Sequence, residues 1–256
     1  MSLHDAPLSR SELESVSSLP LEAQEEILSL LEDLAQAEKE TKLYRLYPDT
    51  GPLRRELYPK HLQFFAAPDQ ERCMMAANRV GKTWGVGGYE TALHLTGEYP
   101  DWWQGRRFTH PIEAWAAGDT SETTRDIVQA ALMGPLAELG TGLIPAANII
   151  GEPTKRAGVP GAMDTGRIRH KSGGTSLIGF KSFDQGRKKF QGTAKHLVWL
   201  DEEPDPLVYD ECMLRLMTTD GMMLCTFTPL EGLTEIALRF LPGLAPTVDV
   251  VANRYG

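Results

Sequence analysis

The stretch Ala76-Ala77-Asn78-Arg79-Val80-Gly81-Lys82-Thr83 limits what this chain can fold into more than any other. It follows the apolar run Cys73-Met74-Met75 and precedes a helix-compatible segment. The pattern is that of a phosphate-binding loop, G-x-x-x-x-G-K-[ST], with Ala76 in place of the first glycine. Such a loop turns backbone N–H groups inward around phosphate oxygens, next to a helix N-terminus that favours negative charge. Lys82 would then reach the β- and γ-phosphates of ATP, the Thr83 hydroxyl would ligate Mg²⁺, and Gly81 would keep a side chain out of the way. A bare Gly-Lys-Thr is also common in ordinary surface loops, so the rest of the chain has to decide.

A second stretch answers the first. His196-Leu197-Val198-Trp199-Leu200 is a continuous apolar run ending in Asp201-Glu202-Glu203. A strand buried on both faces reads this way, and acids at its C-terminal end lie where open α/β sheets bind ligands. Asp201 is expected in the Mg²⁺ shell opposite Thr83. Glu202 is expected to polarise or deprotonate the attacking water. Glu203 should point to the other face. An acid directly after the aspartate is usual in ATP-hydrolysing motors and often missing from kinases of small molecules. Alone, this motif is also compatible with a strand ending in a solvated acidic turn.

Between and around the two motifs, strands alternate with helices. Strands are expected at 72–77, 112–117, 175–181, 196–200, 222–227 and 247–251, with short ones near 147–150 and 166–170. Helices are expected from about Thr83 to Leu95, Glu122 to Leu132, Pro206 to Thr218 and over 233–241. This order implies an α/β fold with a mainly parallel central sheet and helices on both faces. Gly85, Gly87 and Gly88 weaken the first of these helices, by roughly 1 kcal/mol each relative to Ala, and suit close helix–sheet packing. Gln63, upstream of the loop, can read an adenine edge because its amide offers a donor and an acceptor. Thr226-Phe227-Thr228-Pro229 ends a strand in hydroxyls beside the γ-phosphate position, where Thr226 and Thr228 could couple hydrolysis to movement. A plain strand and turn would look the same.

Composition narrows the partners. Apolar residues are 41% and charged residues 24%, as in a globular protein, and the net charge of -9 argues against a freestanding polyanion binder held by bulk charge. The charge is uneven. Residues 1–50 carry a net -7 and residues 154–195 a net +8, so the second segment could face a polyanion or a neighbouring subunit's nucleotide, or be a solvated face. A Glu-rich helix is expected from Ser18 onward, with Ile27, Leu30, Leu31 and Leu34 as its apolar stripe. The expected division is an acidic helical segment, 1–50, and a P-loop ATPase domain, 51–256. Cys73, Cys212 and Cys225 lack metal-ligand spacing and read as buried small hydrophobes. No signal peptide or membrane span is expected.

Taken together, the sequence resembles the ATPase region of the large terminase subunit of tailed bacteriophages. The variant loop with Ala76 and Arg79, Val198-Trp199-Leu200-Asp201-Glu202-Glu203, Thr226-Phe227-Thr228-Pro229 and the upstream Tyr58/Gln63 segment carry the resemblance. Ser121-Glu122-Thr123-Thr124-Arg125-Asp126 and Gly186-Arg187-Lys188-Lys189-Phe190-Gln191-Gly192 are also similar. The resemblance implies a P-loop NTPase of the additional-strand, catalytic-glutamate class. Its implied activity is that of a Mg²⁺-dependent ATPase that forms a ring on the portal protein and drives double-stranded DNA into a prohead. The small terminase subunit is an implied partner, and the host cytoplasm the implied location. In such proteins Arg79 would touch the γ-phosphate, and a neighbouring subunit would supply a further arginine, matched here by Arg187, with Arg125 as second choice. A nuclease domain would follow the ATPase region, and this chain ends at its expected beginning. The competing expectations are another P-loop nucleic-acid translocase or helicase, and a non-catalytic module in which nucleotide orders a ring interface.

Overall fold

The phosphate-loop stretch sits at the end of a strand in a seven-stranded mixed sheet of order β1-β7-β6-β2-β5-β4-β3. The strands are β1 (Glu71–Met75), β2 (Glu113–Gly118), β3 (Thr154–Lys155), β4 (Met163–Arg169), β5 (Thr175–Ser182), β6 (Leu197–Asp201) and β7 (Met222–Phe227). β1, β7, β6, β2 and β5 run parallel, and β4 and β3 continue antiparallel. The computed structural model describes residues 16, 19–40, 42–230 and 232–241. Residues 1–15 of the expected acidic segment, the expected helix start at Ser18 and the strand expected at 247–251 lie outside the described residues.

Apart from the one-turn helix Lys42–Arg45, the main helical segments are α1 (Leu21–Glu40), α2 (Pro59–Ala66), α3 (Tyr89–Thr96), a segment begun by Ser121–Thr123 as α4, α5 (Pro206–Leu216) and α6 (Glu235–Arg239). α3 is entered through a π-wound stretch, Lys82–Gly88, and α4 continues through π-wound Thr124–Gln129 into Ala130–Leu132. Thr120 caps α4 reciprocally with Thr123, satisfying N–H groups that the first turn leaves open.

Residues paired across strands share a face. The front face carries Trp199, Asp201, Leu224, Thr226, Ala116 and Phe180 and is covered by α3 and α4. The back face carries Trp115, Val198, Leu200, Met223 and Cys225 and is covered by α5 and α6. With a core on each side, the central strands need apolar residues at every position, which explains the unbroken runs in β6 and β7. Gly87 allows the close approach on the front: a Cβ there would sit 2.0 Å from Trp199 Nε1.

β1 and the helix after its loop are fastened by a buried ion pair. Arg72 on β1 meets Glu90 on α3 at 2.6 Å, and both are almost fully buried. His94, also buried, lies 3.1 Å from the same carboxylate. Removing one partner of such a pair typically costs about 3–5 kcal/mol.

Two regions differ from expectation. The Gly- and Pro-rich stretch 134–174 holds one full strand, β4, and the short β3, while Ile149 makes only an isolated bridge to Ile168. Glycine turns with positive φ, at Gly158 and Gly161 between β3 and β4 and at Gly173 between β4 and β5, return the chain and make this end of the sheet antiparallel. Of the stripe expected on α1, Leu30 is exposed and Ile27 half-buried, and the side chains of Leu31 and Leu34 lie outside what is described. Leu43 and Tyr47, before the expected boundary at 50/51, are buried in the main core. Cys212 and Cys225 are buried and Cys73 half-buried. Among the described residues no helix is long and apolar enough to cross a membrane.

Candidate nucleotide site

The loop leaves β1 at Ala76, whose N–H bonds Phe227 O on β7 at 3.3 Å. Two loop residues adopt positive φ, Arg79 at 64° and Gly81 at 85°, and Ala76 does not. Alanine therefore serves where the general pattern has glycine, because this position needs no left-handed backbone. Gly85 N–H bonds Gly81 O at 2.7 Å and starts the helix.

Lys82 is buried, with its ammonium 3.0 Å from Ala76 O, 2.7 Å from Ala77 O and 2.8 Å from Thr228 Oγ1. The Thr228 hydroxyl is also 2.9 Å from Ala76 O and 2.8 Å from Asn78 Oδ1. It has one proton and can donate to one of them at a time. The exit of β7 is thus held against the phosphate loop, as the sequence placed it.

Thr83 Oγ1 lies 3.0 Å from each carboxylate oxygen of Asp201. Thr226 Oγ1 donates to Asp201 Oδ1 at 2.7 Å and accepts from Trp199 Nε1 at 2.8 Å. Asp201 is buried, and its carboxyl is pushed up to about 6 by that burial, with the Thr226 and Thr83 hydrogen bonds opposing. Thr226 therefore orients the aspartate rather than facing the loop directly. Trp199 was not singled out from the sequence; its place at the centre of an apolar run hid its polar N–H.

Glu202 follows at a φ of 91°. Its N–H bonds Thr226 O at 3.0 Å, which holds this unfavourable backbone in place. Its side chain borders solvent, yet the surrounding protein desolvates the carboxyl and raises its pKa, with Lys82 opposing and Asp119 reinforcing. Glu202, Asp119 and Thr228 line one cleft of about 590 Å³. Asp119 is a further acid that the sequence reading passed over; its signal was the end of β2, next to β6. Glu203 accepts from Thr234, which caps α6, so the two glutamates are committed to different neighbours.

On the loop's other side a groove of about 680 Å³ is bordered by Gln63, Ala76, Val80 and Phe240. Gln63 is exposed and accepts a long hydrogen bond from Lys60 at 3.4 Å. Tyr58 lies one ring away, on His61 at 5.3 Å between centroids. His61 was also missed. Its Nδ1 is 2.7 Å from Tyr47 Oη, while Tyr47 donates to Gly85 O at 2.5 Å. With that proton committed, His61 Nδ1 carries its own and donates to Tyr47. Burial lowers the His61 pKa.

The arginines separate. Arg79 is exposed on the loop. Arg125 bonds Asp126 at 2.6 Å and Pro160 O at 3.0 Å, along a different cleft beside α4. Arg187 bonds the buried Glu211 of α5 at 2.8 Å.

The donors fit Mg²⁺. Among the described residues no group of three or more acidic, histidine or cysteine side chains could hold a metal. Mg²⁺ bound through one carboxylate, one hydroxyl and nucleotide phosphates needs no such cage.

A phosphate loop on β1 and an acidic strand β6, with β7 between them, define a P-loop NTPase fold of the additional-strand class. Within that class, the chain belongs to the family described as terminase large subunit, T4likevirus-type, N-terminal, whose model matches residues 73–250. It is 33% identical over 263 residues to the terminase large subunit of Salmonella phage P22, covering 94% of this chain and 50% of that protein. The chain thus spans about half the length of that relative. It is also similar to the solved large terminase of a thermophilic bacteriophage (13% identity, TM-score 0.46, 75% of this chain and 38% of that one). A structure of the same terminase in complex with ADP matches at 14% identity and TM-score 0.47, over 66% of this chain and 37% of that one.

Proposed function

We propose that this chain is the ATP-hydrolysing part of a phage genome-packaging terminase and couples hydrolysis to translocation of double-stranded DNA into a prohead. The observation that carries the reading is the convergence of Thr83 on Asp201, with Glu202 next in the chain and lining one cleft with Thr228, the hydroxyl that meets Lys82. Lys82 and the loop N–H groups bind the phosphates, and Gln63 reads the base edge. Mg²⁺, when held by Thr83 and Asp201, supplies charge compensation at the β- and γ-phosphates. Glu202 takes a hydrogen bond from the attacking water and accepts its proton. Thr228, on Lys82 and the loop, passes a change at the γ-phosphate to the exit of β7.

The wider reading places the chain in a ring on a portal protein in the host cytoplasm, with a small terminase subunit and an arginine reaching each site from a neighbour. Arg187 remains the first choice; it would have to leave Glu211 to do so. Such an arginine is worth roughly 10³–10⁵ in rate, so dilute protein should turn over slowly.

Two variants test the reading. Glu202→Gln should retain nucleotide binding and lose about 10²–10⁴ in phosphate release. Lys82→Ala should lose nucleotide binding. Unchanged turnover in Glu202→Gln would sink the hydrolytic reading in favour of an assembly module, and intact binding in Lys82→Ala would sink the loop assignment.

A further inference from the structure

α5 covers the back face of the sheet only as far as Trp115 and Phe190. Beyond them lie β5 and β4, where the register puts Arg167 beside Leu177, Thr165 beside Gly179 and Arg169 beside Thr175. On this face Arg167, Arg169 and Thr175 are exposed, and Thr165, Leu177, Gly179 and Lys181 are half-exposed. The opposite sides of the same strands, with Ile168, Ile178 and Phe180, are buried. One side of this end of the sheet is therefore core, and among the described residues no helix covers the other.

The uncovered side is basic. Neither Arg167 nor Arg169 is paired with a carboxylate among the described residues. Lys181 lies 5.3 Å from the Trp115 ring centroid, and Lys195 lies 5.2 Å from it. Arg156, Lys189 and Lys195 are near enough to Lys181 to add to the effect of its burial and lower its pKa; Asp164 opposes them. Of the nearby acids, Glu113 is engaged by Lys195 at 2.5 Å and Asp164 by Arg156 at 3.6 Å. Exposed Lys189 extends the patch beside Phe190. The positive excess of residues 154–195 is thus gathered in part on one flat surface rather than scattered.

We infer that the open back face of β4 and β5, carrying Arg167, Arg169 and Lys181 with Lys189 at its edge, docks the phosphate backbone of double-stranded DNA. The argument is charge complementarity. A sheet face on which Arg167 and Arg169 have no carboxylate partner among the described residues suits a regular line of phosphates. Its side chains have no arrangement for reading base edges, so the contact is independent of sequence. The acidic balance of the whole chain makes binding depend on this face rather than on bulk charge. The inference rests on the DNA-translocating reading above and adds where the duplex lies, away from the cleft that holds Glu202.

The test is binding of a fluorescently labelled duplex to the full chain, by anisotropy across a salt series. Phosphate release without DNA is measured in parallel. Arg167→Ala/Arg169→Ala should weaken duplex binding about tenfold or more, and make the slope of log affinity against log salt shallower by roughly 2, at about 0.9 per lost phosphate contact. Phosphate release without DNA should stay at the wild-type rate, and Arg54→Ala, a cation elsewhere on the surface, should leave both readouts unchanged. A double variant that binds duplex with wild-type affinity and slope overturns the inference. So does one that changes self-association while leaving duplex binding intact, because the face would then serve a second copy. A wild-type chain that hydrolyses ATP and binds no duplex also overturns it, while leaving the hydrolytic site standing. Arg167→Lys/Arg169→Lys should restore most of the affinity and guards against loss through misfolding.

Discussion

The indole N–H of Trp199 donates to the Thr226 hydroxyl at 2.8 Å, and that hydroxyl's single proton goes to Asp201 Oδ1 at 2.7 Å. The order of donors fixes the aspartate without a cation. Thr226→Val keeps the shape and removes both bonds. It leaves the Trp199 N–H buried and unsatisfied, which costs about 1–3 kcal/mol. Urea denaturation should show that loss, and Mg²⁺-dependent nucleotide binding should weaken with it. Unchanged stability would mean that the chain of donors is incidental.

Asp201 gives a pH dependence whose sign follows from its environment. Burial raises its folded pKa from 3.8 to about 6, so the folded state holds this proton more tightly than the unfolded chain. Its contribution to stability is complete below the unfolded pKa and is lost as pH rises through 6. Asp201→Asn should therefore be more stable than wild type at pH 7, by on the order of 1–3 kcal/mol, with the difference shrinking toward pH 4. The same variant should lose metal-dependent hydrolysis. Denaturation midpoints at the two pH values check the first claim, and a variant less stable than wild type at pH 7 contradicts it.

Glu202 holds a backbone conformation that suits glycine. Glu202→Gly should keep or raise the melting temperature, by the equivalent of about 0.5–1 kcal/mol, while abolishing turnover. A marked fall in melting temperature would show that the side chain, not the backbone, sets the stability there.

Gly87 lies against Trp199. Gly87→Ala would place a methyl group 2.0 Å from the indole nitrogen, so the ring or the helix must move. Overpacking of this kind costs roughly 1–3 kcal/mol. It should also disturb the bond to Thr226, visible as a shift in tryptophan fluorescence. A variant as stable as wild type would contradict the close packing.

Arg187 separates two roles by two measurements. Arg187→Ala removes one partner of the buried Glu211 but leaves Arg215 at 3.1 Å. Arg187 is itself half-exposed, so the loss in stability should be modest, about 1 kcal/mol or less. Doping the variant into wild-type protein should depress ATPase activity more than in proportion if the arginine acts on a neighbour's site. A strictly proportional fall points to Arg125 or elsewhere.

Much of the site was legible because it lies at the ends of apolar runs. Met74-Met75 before Ala76, and Leu200 before Asp201, mark strand ends where function begins. Thr226 and Thr228 were legible as hydroxyls at a strand end, but not their separate partners, since Asp201 and Lys82 are brought to them by β6 and the loop. His61, Tyr47 and Asp119 were missed because each depends on contacts between distant segments. β3 was missed because a two-residue strand has no periodicity to read. The antiparallel return of β4 depended on glycine turns whose φ values the sequence does not print. The basic segment was visible as charge, but only the register placed Arg167 and Arg169 on the same uncovered face as Lys181.

The buried pair of Arg72 and Glu90 has a mechanical meaning. One partner stands on the strand that enters the phosphate loop, and the other on the helix that leaves it. The two ends of the loop are thereby set at a fixed span, like the abutments of an arch. A load applied at the crown is borne by the loop's own backbone and its contact with Thr228, because its flanks cannot slide apart to absorb it.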